Sequence, residues 1–257
     1  MTGQACRFIW YELMTGDVDA ASDFYTKVVG WTAQSFGGSG VDYKVMSAAD
    51  GGVGGIMGIP QEARENGAGP AWLGYIGVAD TDAAAARLAA AGGTVHRAPA
   101  DIPEVGRFAV VADPQGATFM LMTPNGEDRP APAANLPGRI GWHELYAGAL
   151  ESAFAFYEGQ FGWTRVSTVD MGPMGIYQLF ATGGSDAVGG MMTRPEHSPR
   201  AGWTFYFNVE GIDSAVERVK ANGGQVLHGP MEVPGGAWIA QAMDPQGAAF
   251  ALTSTTR

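Results

Sequence analysis

The sequence predicts an α+β chain made as a tandem repeat of two domains, and three observations carry that prediction. Residues 10–31, WYELMTGDVDAASDFYTKVVGW, return at 142–163 as WHELYAGALESAFAFYEGQFGW, an offset of 132 that keeps Trp10/Trp142, Glu12/Glu144, Tyr25/Tyr157 and Trp31/Trp163 in step. Further on, Trp72/Trp203, Tyr75/Tyr206, Gly92-Gly93/Gly223-Gly224 and the D-P-Q-G of 113–116 and 244–247 match at an offset of 131. Between the copies runs PNGEDRPAPAANLPG, whose prolines at 124, 130, 132 and 137 remove donors and fix φ, as in an extended linker. A repeat this even means two equivalent domains, residues 1–124 and 139–257, joined by a linker at 125–138.

Taken in order, IWYELMTGD (9–17) alternates like a strand and ends at Asp17, an N-cap residue. The segment that follows puts Ala21, Phe24, Tyr25, Val28 and Val29 on one helical face, and Gly30 closes the helix. Strands are expected at about 31–36, 42–47 and 53–58. WLGYIGVAD (72–80) is another strand ending in Asp80, 82–91 another helix, and Gly92-Gly93 its stop. Strands near 94–97, 107–112 and 117–122 finish the half, the last two joined by D-P-Q-G as a type I turn. Each half therefore reads βαβββ–βαβββ, four units in the whole chain.

Composition bounds the function. With 46% hydrophobic and 16% charged residues the chain is globular, and 257 residues suffice for two cores. A formal charge of −11 with no basic run argues against nucleic acid as a partner. The lone Cys6 rules out an internal disulfide framework and thiolate metal clusters. MTGQACRF lacks the charged start and apolar run of a signal peptide, and no apolar stretch approaches a spanning helix, so a cytoplasmic protein that neither enters nor crosses a membrane is expected.

The unit order, the FYxxxxGW stretch after the first strand and the D-P-x-G hairpin before the last, all present twice, resemble the vicinal oxygen chelate superfamily: glyoxalase I, extradiol dioxygenases, fosfomycin resistance enzymes and bleomycin resistance proteins. The tandem glyoxalase-like and hydroxylase-like members that carry W-x-[DE]-L at the first strand look most similar. The resemblance implies that paired units make a curved, open, eight-stranded mixed sheet with flanking helices, whose concave face holds the ligand. It also implies halves that pack on each other as subunits do in dimeric relatives, giving a monomer or a homodimer.

In the family's metal-dependent members the ligands are His, Glu and Gln at fixed strand positions. The matching positions here are Trp10, Leu73, Gly55 or Ile56, and Met120 in the first half. In the second they are Trp142, Thr204, Gly190 or Met191, and Ala251. These are poor donors for a divalent cation, so neither metal nor other cofactor is expected. His96, His143, His197 and His228 have no counterparts across the repeat and read as ordinary surface or half-buried imidazoles. The glycines at 52, 54, 55, 189 and 190 fit close strand approach; no Lys-Ser/Thr follows them as in a phosphate loop.

If position 10 faces the cavity, strand alternation puts Glu12 and Met14 there too, with Leu73, Tyr75, Met120 and Met122 from the second unit. The other half supplies Trp142, Glu144, Tyr146, Thr204, Tyr206 and Asn208. Rings and thioethers with one carboxylate suit a small aromatic or apolar, even cationic, molecule. Three functions follow. The first is metal-independent binding of such a molecule, as in sequestration or resistance proteins. The second is a glyoxalase-like or hydroxylase-like enzyme, a lyase or oxygenase, using an atypical metal site or Glu12 and Glu144 as acid–base groups. The third is a structural or interaction protein whose cavities are filled by side chains.

Overall fold

The computed structural model describes residues 6–36, 42–126, 133, 135–195 and 200–257. His197 and residues 127–132 and 134 of the proline-rich stretch lie outside the described residues. The first half runs β1 (Phe8–Thr15), α1 (Val18–Val29), β2 (Thr32–Ser35), β3 (Tyr43–Ala48), β4 (Gly51–Gly58) and a short α2 (Gln61–Glu65) that the sequence reading did not foresee. It continues with β5 (Ala71–Gly77), α3 (Thr81–Ala90), β6 (Thr94–Ile102), β7 (Gly106–Ala112) and β8 (Thr118–Pro124). The second half repeats the order as β9 (Ile140–Ala147), α4 (Leu150–Phe161), β10 (Thr164–Asp170), β11 (Ile176–Ala181) and β12 (Gly189–Thr193). It closes with β13 (Gly202–Asn208), α5 (Ile212–Ala221), β14 (Gln225–Glu232), β15 (Trp238–Met243) and β16 (Ala249–Ser254).

Each half forms one open, mixed, eight-stranded sheet, ordered β2-β3-β4-β1-β5-β8-β7-β6 in the first and β10-β11-β12-β9-β13-β16-β15-β14 in the second. The parallel pairs are those a βαβββ unit must make, β1 with β4 and β5 with β8, because a helix lies between or beside them. Local chemistry sets the helix ends. Asp17 has extended backbone and its carboxylate accepts from the Ala20 N–H at 3.0 Å; Asp80 does the same for Ala83 at 2.9 Å. Gly30 and Gly162 end α1 and α4 in the left-handed region, with φ of 88° and 70°.

The compact units of the molecule are not the two halves. One unit comprises Met1–Ile9, Gly74–Ala131 and His143–Trp203, the other Trp10–Leu73, Pro132–Trp142 and Thr204–Arg257, so each takes one βαβββ module from each half. In the second unit α1 packs on α5, and Tyr25, Trp31, Trp72, Phe207 and Phe250 form one aromatic core with ring centroids 5.0–6.1 Å apart. In the first, α3 packs on α4 around Tyr157, Phe119, Trp163, Phe180 and Trp203. Such edge and offset contacts suit the ring quadrupoles.

The repeated residues hold these units together. Trp72 Nε1 donates to Tyr25 Oη at 2.8 Å, and Tyr25 Oη donates to Asp244 Oδ2 at 3.2 Å. The other unit copies it: Trp203 Nε1 donates to Tyr157 Oη at 3.0 Å, and Tyr157 Oη to Asp113 Oδ2 at 3.2 Å. In each case the aspartate opening the D-P-Q-G turn comes from the opposite half to the tyrosine. Its other oxygen accepts the two backbone N–H groups of its own turn, those of Gln115 and Ala117 or of Gln246 and Ala248, at 2.8–2.9 Å. Burial pushes the Asp113 carboxyl up, and burial together with the aspartates pushes both phenols well above the usual tyrosine range.

The glutamine of the same turn is a second clamp. Gln246 accepts from the Asp17 N–H at 2.8 Å and donates to the Asp17 carbonyl at 2.9 Å, gripping the residue that begins α1. Gln115 grips Ala149 identically, at 2.9 and 3.0 Å, where α4 has no side-chain cap of its own. The tryptophan after each helix is tied as well: Trp31 Nε1 donates to the Gly138 carbonyl and Trp163 Nε1 to the Cys6 carbonyl, both at 2.6 Å. Tyr25, Tyr157, Trp31 and Trp163 thus engage their polar atoms as well as their rings.

Candidate functional site

In the first module of the first half, β1 carries Trp10, Glu12 and Met14 on one face, while Tyr11 and Leu13 on the other are buried, Tyr11 edge-on against Phe205. Register places Glu12 opposite Gly55 of β4, and Gly55 opposite Val45 of β3. Tyr43, two residues before Val45 and on its face, lies back across this glycine: a Cβ built on Gly55 would stand 1.9 Å from Tyr43 Oη and 2.2 Å from its Cζ. The hydroxyl accepts from Trp10 Nε1 at 3.1 Å and donates to Glu12. Burial and the neighbouring Glu12 charge push this phenol well above the usual tyrosine range, so it stays protonated. Alternation on β3 sends Lys44 the other way, to an ion pair with Asp19 of α1. The result is a buried carboxylate bonded to a phenol that is itself bonded to the Trp10 indole.

The second half repeats the strand register and the tyrosine-over-glycine relation in its own first module. Glu144 is buried on β9 opposite Gly190 of β12. The ring of Tyr177 on β11 crosses that glycine, with Cε1 2.1 Å and Oη 2.5 Å from where a Cβ would be. Close strand approach, the expectation for the glycine runs, holds at Gly54 and Gly189, whose added Cβ would sit 2.4 Å from the Tyr11 carbonyl oxygen and 2.2 Å from that of His143. Gly55 and Gly190 do something different: they make room for a tyrosine.

The remaining predicted residues fall into distinct environments. Tyr75 and Met120 are register partners on β5 and β8, both buried, as is Met122 opposite Gly77. In the second half the place of Met120 is taken by Ala251, opposite both Tyr206 and Gln241. The small alanine lets Tyr206 Oη accept from Gln241 Nε2 at 3.0 Å. Trp10, Met14, Leu73, Trp142, Tyr146 and Thr204 are half-buried. Asn208 is committed to the chain entering β9: its amide donates to the Leu136 carbonyl at 3.1 Å and its backbone exchanges bonds with Arg139 and Gly138 at 2.8 Å.

His143 points away from Glu144 by strand alternation. It is buried, stacks on Phe8 with centroids 4.6 Å apart and planes at 6°, and holds the Val188 carbonyl through Nδ1 at 2.8 Å. Burial lowers its pKa to about 4. His96 and His228 are exposed. Two open surface grooves, of about 440 and 470 Å³, are lined by residues flanking α4 and include none of the predicted site residues.

Tyr43, Tyr177 and Gln241 were missed by the sequence reading. The offset between the two tyrosines is 177 − 43 = 134 and between their glycines 190 − 55 = 135, against 132 for the first strands. Two extra residues between Trp163 and Tyr177, and one more between Tyr177 and Gly190, shift the second copy out of step. A repeat search that tolerates a small insertion would have aligned the tyrosines.

The donor set at the positions that hold a divalent metal in the metal-dependent relatives is poor. Trp10, Leu73 and Met120 occupy the relevant positions of the first half, and the fourth, Gly55, lies under a tyrosine ring. Among the described residues no three His, Cys, Asp or Glu side chains gather. These residues do not fit such an ion.

The double βαβββ architecture and its repeated motifs define the class: the chain belongs to the Glyoxalase/Bleomycin resistance protein/Dioxygenase superfamily, whose model matches residues 7–121 and again 139–252. Among its relatives is "Putative glyoxylase CFP32" of Mycobacterium tuberculosis (strain CDC 1551 / Oshkosh), 34% identical over 246 residues covering 95% of this chain and 92% of the relative. Another is "Anthracycline biosynthesis protein DnrV" of Streptomyces peucetius, 31% identical over 257 residues, covering 95% and 91%. The fold is shared with the 2,3-dioxygenase LapB from Pseudomonas sp. KL28, with a TM-score of 0.68 at 17% identity over 99% of this chain and 93% of that one. It is also shared with the Mn(II)-bound glyoxalase from Novosphingobium aromaticivorans, with a TM-score of 0.65 at 17% identity, covering 99% and 83%. Among the described residues no helix is long and apolar enough to cross a membrane.

Proposed function

We propose that the chain binds a small, flat, aromatic or apolar molecule bearing a donor or a positive charge, without a metal, at the glutamates of its first modules. One observation carries this: Glu12 is buried and accepts from a phenol that is itself bonded to the Trp10 indole, and the second half keeps the same carboxylate, tyrosine and glycine at Glu144, Tyr177 and Gly190. A buried acidic group beside aromatic side chains attracts cations and donors and repels anions. The relative named for anthracycline biosynthesis favours a flat polycyclic guest.

The test is equilibrium binding of proflavine, a flat fluorescent cation, to the full-length chain after exhaustive dialysis against a chelator. Binding should survive the chelator, and Glu12→Gln combined with Glu144→Gln should weaken it by about tenfold, the equivalent of roughly 1.4 kcal/mol. Unchanged affinity in the double variant rejects the site.

A second reading, an enzyme, is favoured by the relative whose name describes a glyoxylase. A protonated phenol hydrogen-bonded to a carboxylate can pass a proton, so Glu12 and Glu144 would act as acid–base groups. Stoichiometric divalent metal whose removal abolishes turnover would favour this reading with a metal site outside the positions above, and would overturn metal-independent binding.

A further inference from the structure

We propose that Tyr43 and Tyr177 determine the charge selectivity of this site, each phenol fixing its glutamate as an ionised acceptor and each depending on a glycine for the space its ring occupies. The inference rests on the binding reading given above.

Three pieces of geometry support it. Tyr43 Oη takes its incoming hydrogen bond from Trp10 Nε1 at 3.1 Å, which leaves its own proton for Glu12. A buried carboxylate without donors takes up a proton, whereas one that accepts a hydrogen bond keeps its charge. The ring is held by space as well as by bonding, since no residue larger than glycine fits at position 55 while Tyr43 lies there. Tyr177 and Gly190 repeat that steric relation beside Glu144, although the surrounding offsets drift by two or three residues. The pair is thus present twice where the intervening loops have changed length. Tyr43 and Tyr177 are positioning residues here, acting on the ligand through the carboxylates.

The probes are proflavine and its anionic counterpart in shape, 2-anthracenesulfonate, titrated into the full-length chain carrying Glu144→Gln so that the first half is read alone. Tyr43→Phe should lower the ratio of cation to anion affinity by about tenfold, the loss of one hydrogen bond to a charged group. It should also move the indole N–H resonance of Trp10, assigned with Trp10→Phe, upfield as that bond disappears. Gly55→Ala should lower the ratio similarly with the hydroxyl still in the chain, because its methyl takes the place of the phenol. If Gly55→Ala does not fold, Tyr43→Phe decides alone. A ratio that stays constant or rises in Tyr43→Phe, or an equal loss of both probes, overturns the assignment. If Glu12→Gln still weakens proflavine in that case, the binding site stands and only the tyrosine's role falls. If Glu12→Gln has no effect, both fall together.

Discussion

Tyr157→Phe isolates what the repeated Trp-Tyr-Asp chain contributes. The substitution removes one oxygen from a fully buried ring and leaves the aromatic packing in place. Two hydrogen bonds are lost: the 3.0 Å bond from Trp203 Nε1 and the 3.2 Å bond to Asp113 Oδ2. A bond to a charged group contributes about 1.5–3 kcal/mol and a neutral one about 0.5–1.5, so the deficit at pH 7 should be about 3 kcal/mol. At roughly 2 °C per kcal/mol for a chain of this size, the melting midpoint should drop by about 6 °C. The deficit also has a pH signature. Burial raises the Asp113 pKa above the ordinary 3.8, and the Tyr157 hydrogen bond opposes that rise. A carboxyl whose folded pKa is raised costs stability as pH climbs from its unfolded value through its folded one. Removing Tyr157 Oη raises the folded value further, so the variant should fall furthest behind the wild type above this window and recover part of the loss below about pH 4. Urea denaturation at pH 7 and pH 3.5 measures both. A deficit under about 1 kcal/mol at pH 7, or one that does not shrink in acid, would contradict this account. Tyr25→Phe should give the same result, because the Trp72-Tyr25-Asp244 geometry matches it.

Two further outcomes concern the ground on which the site stands. His143 has its folded pKa lowered from 6.5 to about 4, so its neutral form is favoured in the fold and stability should fall as pH drops from about 6.5 to 4, by at most about 3 kcal/mol. The His143→Phe variant should lack that component, and identical pH–stability profiles for variant and wild type would contradict it. Gly189→Ala puts a methyl 2.2 Å from the His143 carbonyl oxygen, where backbone cannot yield cheaply. It should destabilise by about 3 kcal/mol or more in the same urea assay, and a loss below about 1 kcal/mol would show that β9 and β12 are not so closely apposed.

Much of the fold was legible because it is written in local terms. Asp17 and Asp80 cap their helices through their own side chains, Gly30 turns the chain through its own φ, and D-P-Q-G closes its own hairpin. Alternation on β1 also singled out Glu12, with Trp10 and Met14, as the residues turned away from the aromatic core. The site's other half was not legible. Tyr43 and Gly55 belong to different strands, and only register brings the phenol over the glycine. Asn208 looked like a lining residue because its strand position is right, yet the chain entering β9 passes within its reach and takes its amide.

The order of residues alone specifies a fourfold βαβββ series in two copies, with an acidic, aromatic first strand in each. Which copy partners which is settled only in three dimensions. Asp113 and Asp244 stand in near-identical sequence surroundings, as do Tyr25 and Tyr157, so a linear pattern offers no preference between a tyrosine of the same half and one of the other. The choice is made by packing: each compact unit is assembled from one module of each half, and a hydrogen bond can only form with the aspartate that the aromatic core brings within about 3 Å.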